Sequence, residues 1–256
     1  MVEAVHRVHV RSTTGDAYGD DFHCFFRSSL KPVQAIPLLE GYDDLGDDEL
    51  AIASASHQAE PAQLEAARKL LARAGATVDD LENGLQEGRP EGKLGHNCSG
   101  KHAGMLAACR AHGWPLHPYR SPDHPLQQRV AALVGEAEIG VDGCGVPTFA
   151  LPLSRMCEVF LLAPARIRAA MAARPELVGG TGSADTELMR ARPGWYAKGG
   201  AEGLFCVSDG TDAWTFKAED GAFRGLRPAI ARVLEIHEFR EVEVRNSRDE
   251  VVGSIS

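Results

Sequence analysis

The quartet Ser28-Ser29-Leu30-Lys31 opens the segment on which the fold assignment turns. Leu30, Val33, Ile36 and Leu38-Leu39 follow with helical spacing, Pro32 is tolerated in a first turn, and Pro37 marks an early stop or kink. Spacing of three places Ser28 and Lys31 about one turn apart on the same face. A hydroxyl becomes nucleophilic when a base removes its proton, and a desolvated lysine can be that base near neutral pH. The same quartet equally describes a serine helix cap followed by an ordinary surface lysine.

Upstream of the quartet, Val5, Val8 and Val10 read as a strand before the turn Thr13-Thr14-Gly15-Asp16, and Phe22 to Phe26 reads as a second strand. Downstream the chain is alanine-rich and amphipathic. Helices are predicted over Pro61 to Ala74 with Gly75 as a stop, Ser99 to His112 before Gly113, Pro125 to Val134, Leu151 to Leu162, and Pro164 to Ala173. Strand signals return at Leu204 to Val207 and Ala213 to Lys217, around the turn Ser208-Asp209-Gly210. A helix from about Pro228 to Ile236, a strand over Glu241-Val242-Glu243-Val244 and a last strand complete the pattern. The expectation is an α+β fold in one domain spanning 1–256. Strands from about 1–27 and 195–256 form an antiparallel sheet, and about 28–194 is largely helical, including an inserted helical subdomain.

Composition removes several classes of function. Apolar residues make up 44% and charged residues 25%, the balance of a globular chain rather than a disordered one. A net charge of −9 argues against nucleic-acid and anionic-membrane partners. The longest apolar run, Val159 to Ala163, is too short to cross a bilayer, and the first residues lack a signal peptide's basic flank. A cytoplasmic protein is expected. Six cysteines are too sparse for a disulfide scaffold, which leaves thiols available for metal or chemistry.

Four further segments carry chemical potential. Ser54-Ala55-Ser56-His57-Gln58 crowds small polar residues at the end of an apolar run, and capping is its plain account. His96-Asn97-Cys98-Ser99-Gly100-Lys101-His102 puts a thiol and a lysine one turn apart at a helix start, where a thiolate is favoured. It lacks the frame of a phosphate-binding Walker loop. In Val141-Asp142-Gly143-Cys144-Gly145-Val146-Pro147 a cysteine stands between glycines, where backbone can approach closely. Cys98 and Cys144 could supply two thiolates to Zn²⁺, in an open site completed by nitrogen and water. Tyr196-Ala197-Lys198-Gly199-Gly200 puts a lysine and glycines beside a strand, where lysine also serves simply to protect an edge. The order S-x-x-K, Ser-x-Gln, Lys-Gly-Gly parallels that of penicillin-recognising serine enzymes.

Taken together, Arg27 to Ala35, Ser56-His57 with Glu60-Pro61, Asn97 to Met105, Val141 to Pro147 and Lys198 to Gly203 resemble the Rhizobium etli-type inducible L-asparaginase family. The resemblance implies a β-lactamase-like (serine-lactamase/glutaminase) fold, a homodimer, and hydrolysis of L-asparagine to L-aspartate and ammonia. It pairs Ser28 with Lys31 and Ser56 with Lys198, and it places a zinc site on Cys98, Lys101 and Cys144. Ser28 is then the expected nucleophile, with Arg27, His57 and His102 at the substrate and Asp142 orienting a metal ligand. The chain departs from the family pattern in its short stretch between Cys144 and Lys198. The competing readings are a penicillin-recognising serine acyl transferase or hydrolase and a non-enzymatic zinc-binding module.

Overall fold

The computed structural model describes residues 2–239 and 242–256. It opens with strands β1 (Val8–Ser12), β2 (Ala17–Tyr18) and β3 (His23–Phe25). A 3-10 turn over Arg27–Leu30 leads into the short helices α1 (Lys31–Gln34) and α2 (Ile36–Gly41), which part at Ala35 ahead of Pro37. Helices α3 (Asp47–Ala53), α4 (Pro61–Ala74), α5 (Ser99–His112) and α6 (Pro125–Val134) follow. Strands β4 (Glu138–Val141) and β5 (Pro147–Pro152) come next. Four helices then run as α7 (Leu153–Phe160), α8 (Ala165–Ala173), α9 (Pro175–Val178) and α10 (Ala184–Ala191). Strands β6 (Tyr196–Gly200), β7 (Leu204–Ser208) and β8 (Ala213–Ala218), helix α11 (Leu226–Leu234) and strands β9 (Val242–Arg245) and β10 (Val251–Ile255) end the chain.

The main sheet has the order β2-β1-β8-β7-β6 and is antiparallel throughout. It joins the two chain ends as expected, with Val10 opposite Phe216. Every residue of β6, β7 and β8 is buried, so both faces of these strands are covered. Helices α7 and α11 each pack on β8, and α8 and α10 pack on β6. The α+β class is therefore correct.

Three parts of the sequence reading need correction. Strand β3 leaves the main sheet and pairs with β5, which pairs in turn with β4, giving a second, three-stranded sheet. Two of its strands lie in the stretch expected to be largely helical. Residues 147–151 of β5 are all buried, so the apolar run from Val146 to Leu151 shows no alternation that would mark a strand. Helix α7 begins at Leu153, after Pro152 in extended backbone, rather than at Leu151. The terminal strands β9 and β10 form a separate hairpin and do not extend the main sheet. Their residues are mostly exposed, so no apolar face draws them onto the core. Of the strand expected from Glu241, that first residue lies outside the described residues.

The helical layer is built around α5, whose residues from Ser99 to Cys109 are all buried. Helices α2, α3 and α4 pack on it. Close approach at the start of α5 depends on Gly100, where a Cβ would stand 2.4 Å from the Ile52 carbonyl oxygen. At Gly104 a Cβ would stand 3.0 Å from the Ala53 methyl. The end of α3 is thus set against the start of α5, which brings the segment 54–57 beside Cys98 to His102.

Candidate active site

Residues 27–31 turn sharply between β3 and α1. Arg27 has φ 50°, a left-handed conformation that costs a non-glycine residue energy and clusters at functional sites. Its amide donates to Thr148 Oγ1 at 3.1 Å and its Nε to Asp142 Oδ1 at 2.6 Å. The rest of its guanidinium fork remains able to meet a carboxylate. Ser28 is half-buried, and no side chain among the described residues hydrogen-bonds its Oγ. Ser29 is buried and donates to the Lys198 carbonyl at 2.8 Å, which docks the turn on β6. A Cβ at Gly200 would stand 2.9 Å from Ser29 Oγ, so the glycine permits this docking.

Lys31 is 0% exposed. Its Nζ donates to Ser56 Oγ at 2.9 Å and to the Ala55 carbonyl at 2.5 Å. Burial drives its amine down to about 8. The sulfurs of Cys98 and Cys144 pull it back up, while Lys101 and Lys198 push it lower. The serine hydrogen-bonded to Lys31 is therefore Ser56, which follows α1, α2 and α3 in the chain, rather than the expected partner Ser28. Ser56 is fixed in turn by its amide, which donates to the Val178 carbonyl at 2.9 Å.

Lys198 is also buried, but it does not pair with Ser56 as expected. Its Nζ donates to Asp185 Oδ1 at 3.1 Å and to the Gly199 carbonyl at 2.9 Å. Asp185 lies in the first turn of α10, after Ser183, whose hydroxyl accepts the Thr186 amide. In sequence that arrangement reads as a helix cap, and Asp185 carried no other signal.

His57 is fully buried, with both ring nitrogens engaged. The Ala59 amide donates to its Nδ1 at 3.1 Å. Ser99 Oγ gives its proton to the Leu94 carbonyl, so at 2.8 Å His57 Nε2 must be the donor to Ser99. The ring is a neutral Nε2–H tautomer, consistent with burial pushing its pKa down to about 3. It ties the Ser56 segment to the start of α5 from beneath.

The remaining candidates gather at that helix start. Cys98 occupies the N-cap of α5, and Lys101 Nζ donates to Cys144 Sγ at 3.0 Å. Cys98 is held well below the ordinary thiol range, first by a hydrogen bond from Cys144 and then by Lys31 and Lys101. Burial would raise Asp142, but Lys101, the Gly143 amide and Arg27 outweigh it and keep the carboxyl below its usual range. His102 Nδ1 lies 2.7 Å from the Tyr119 hydroxyl. Its Nε2 is buried without a hydrogen-bond partner among the described residues, and burial pushes the ring down to about 4.

Among the described residues, no three His, Cys, Asp or Glu side chains group to hold a metal. A cation here needs the Lys101 nitrogen as its third donor. The Cys98 and Cys144 thiols, the Lys101 nitrogen once it gives up its proton, and the unpartnered His102 imidazole nitrogen make a donor set that fits Zn²⁺.

The family model described as L-asparaginase II matches residues 1–256, the whole chain. The chain belongs to the L-asparaginase II family. It is an amidohydrolase acting on asparagine, a small-molecule substrate. No curated protein matches the chain. Among the described residues of this asparaginase, no helix is long and apolar enough to cross a membrane.

Proposed function

We propose that the chain hydrolyses L-asparagine through an acyl-enzyme on Ser28, with Lys31 as the base. The observation that carries this reading is the Lys31 amine, fully buried, with no carboxylate partner among the described residues and held near 8 beside Ser56. A neutral amine has two N–H donors and one lone pair. In the geometry described, the donors meet Ser56 Oγ and the Ala55 carbonyl, which leaves the lone pair for a hydroxyl proton.

Ser28 Oγ attacks the side-chain amide carbon as its proton passes to Lys31. Backbone N–H groups near Ser28 receive the oxyanion. The proton then moves from Lys31 through Ser56 to the leaving nitrogen, and ammonia departs with the C–N bond pair. Water attacks the β-aspartyl ester, giving its proton to Lys31 and thence to Ser28, and L-aspartate is released. Arg27 binds the substrate carboxylate, and Lys198 supplies a fixed positive charge. His57 and Asp142 hold Ser56 and Arg27 in place.

Cys98, Cys144 and Lys101 would hold a zinc ion, with the unpartnered His102 Nε2 nearby as a further nitrogen. When bound, zinc supplies positive charge that favours a neutral Lys31 and orients polar groups of the substrate. The Ser28–Lys31 turn, Ser56 and a lysine on the sheet edge support a β-lactamase-like fold in one domain. The family resemblance supports a homodimer, and the composition supports a cytoplasmic location.

A second reading makes Ser56 the nucleophile, because Ser56 is the hydroxyl in contact with Lys31. An electrophilic asparagine analogue followed by peptide mass mapping decides between the two. Label on Ser28 is the expected result, label on Ser56 exchanges the roles, and label on neither removes the acyl-enzyme. Lys31→Met should abolish ammonia release from asparagine with the fold intact. Turnover near that of the unmodified chain would refute Lys31 as base.

A further inference from the structure

Building on the proposed roles of Lys31 and Lys198, we propose that Asp185 is a positioning residue that fixes Lys198 as a charged ammonium at the active site. The two buried lysines then hold different protonation states. Lys31 is the amine that exchanges a proton, and Lys198 is the cation that does not.

The distinction rests on what each nitrogen meets. Lys31 faces a hydroxyl and a carbonyl, both neutral. Lys101 faces a sulfur. Among the described residues, Lys198 is the lysine with a carboxylate within salt-bridge distance. It is 1% exposed, and a buried ammonium is sustained only by a charged, hydrogen-bonded partner.

Asp185 also sets where that charge stands. Its Oδ1 accepts the Gly199 amide at 2.6 Å as well as Lys198 Nζ at 3.1 Å. Strand β6 is an edge of the main sheet, so its outward amides and carbonyls have no strand partner. Asp185 closes that edge at the Gly199 amide, and Ser29 donates to the carbonyl of the same peptide unit, Lys198, which points the other way. One carboxylate thus ties the ammonium and its own strand together, and the same strand is fastened to the turn that carries Ser28.

Asparagine turnover by Asp185→Asn, Lys198→Met and the double variant, each in the full chain, tests this. Asparagine keeps an oxygen for the Gly199 amide but removes the charge. Asp185→Asn should lower kcat about a hundredfold, with KM changed by less than about threefold and the melting temperature nearly unchanged. In the Lys198→Met background the same substitution should add less than about a twofold loss, because Asp185 acts through Lys198. Asp185→Glu, which retains charge, should be faster than Asp185→Asn and provides the comparison if the asparagine variant folds poorly. Unimpaired Asp185→Asn, losses that multiply in the double variant, or Asp185→Glu slower than Asp185→Asn would each overturn the proposal. Full activity in Lys31→Met would instead reject the underlying mechanism, and inactivity of that variant alongside an unimpaired Asp185→Asn rejects the Asp185 role alone.

Discussion

Lys31 carries a thermodynamic signature that separates it from an ordinary core residue. Its amine is pushed from 10.5 to about 8 in the fold, so between those values the unfolded chain binds more protons than the folded one. Stability contributed at this position therefore rises with pH across that window, and below it the whole penalty of burying the charge is present. The shift corresponds to about 3 kcal/mol, against roughly 1–2 kcal/mol for the hydrogen bonds that methionine would lose. Lys31→Met should thus be more stable than the parent at pH 7 in urea unfolding, and the gain should vanish by about pH 10. The same ionisation governs turnover. With a neutral Lys31 as base, kcat/KM should fall about tenfold per pH unit below about 8 and level off above it. A flat profile between pH 6 and 9 would show that another group takes the proton. At this scale the candidate residues were legible in sequence, because Ser28 with Lys31 and Cys98 with Lys101 are spaced by single helical turns. Their partners were not. The bonds from Lys31 to Ser56 and from Lys198 to Asp185 cross between elements, and no local spacing encodes them.

At the level of elements, the site depends on how closely α3 and α5 approach. Within a helix, replacing Gly100 by alanine gains about 1 kcal/mol of intrinsic propensity. Here the new methyl would stand 2.4 Å from the Ile52 carbonyl oxygen and 2.7 Å from Ile52 Cγ1. Relief requires moving backbone, and overpacking of this kind costs about 1–3 kcal/mol. Gly100→Ala should therefore lower the denaturant midpoint. It should also depress turnover further than its stability loss explains, because α3 and α5 together place Ser56 opposite Cys98 and Lys101. Turnover unchanged in a destabilised Gly100→Ala would mean that the spacing serves packing alone. The helices at this interface were readable from caps, as in Pro61 to Ala74 with Gly75 in the left-handed region behind it. In the second sheet β3 was readable as a strand but β5 was not, since β5 is buried on both faces and Pro152, which leads into α7, ends it without a polar break.

Across the whole molecule, the proposed site takes parts from every layer. Lys198 comes from the main sheet, Cys98 and Lys101 from α5, Ser56 from the loop after α3, and Asp142 and Cys144 from the turn between β4 and β5. If these parts form one domain, they must unfold together. The tryptophans lie where this can be read. Trp195 and Trp214 stack at 5.4 Å beside the main sheet, whereas Trp114 follows α5 and stacks on His112 at 4.3 Å. A Trp114→Phe variant reports the sheet, and a Trp195→Phe/Trp214→Phe variant reports the helical layer. Their fluorescence midpoints in urea should coincide, once corrected for each variant's own stability by far-ultraviolet circular dichroism. Loss of asparagine hydrolysis should follow the same curve. Separate midpoints would show that the helical layer is an independent domain, and the active site would then be an interface between two units rather than the interior of one.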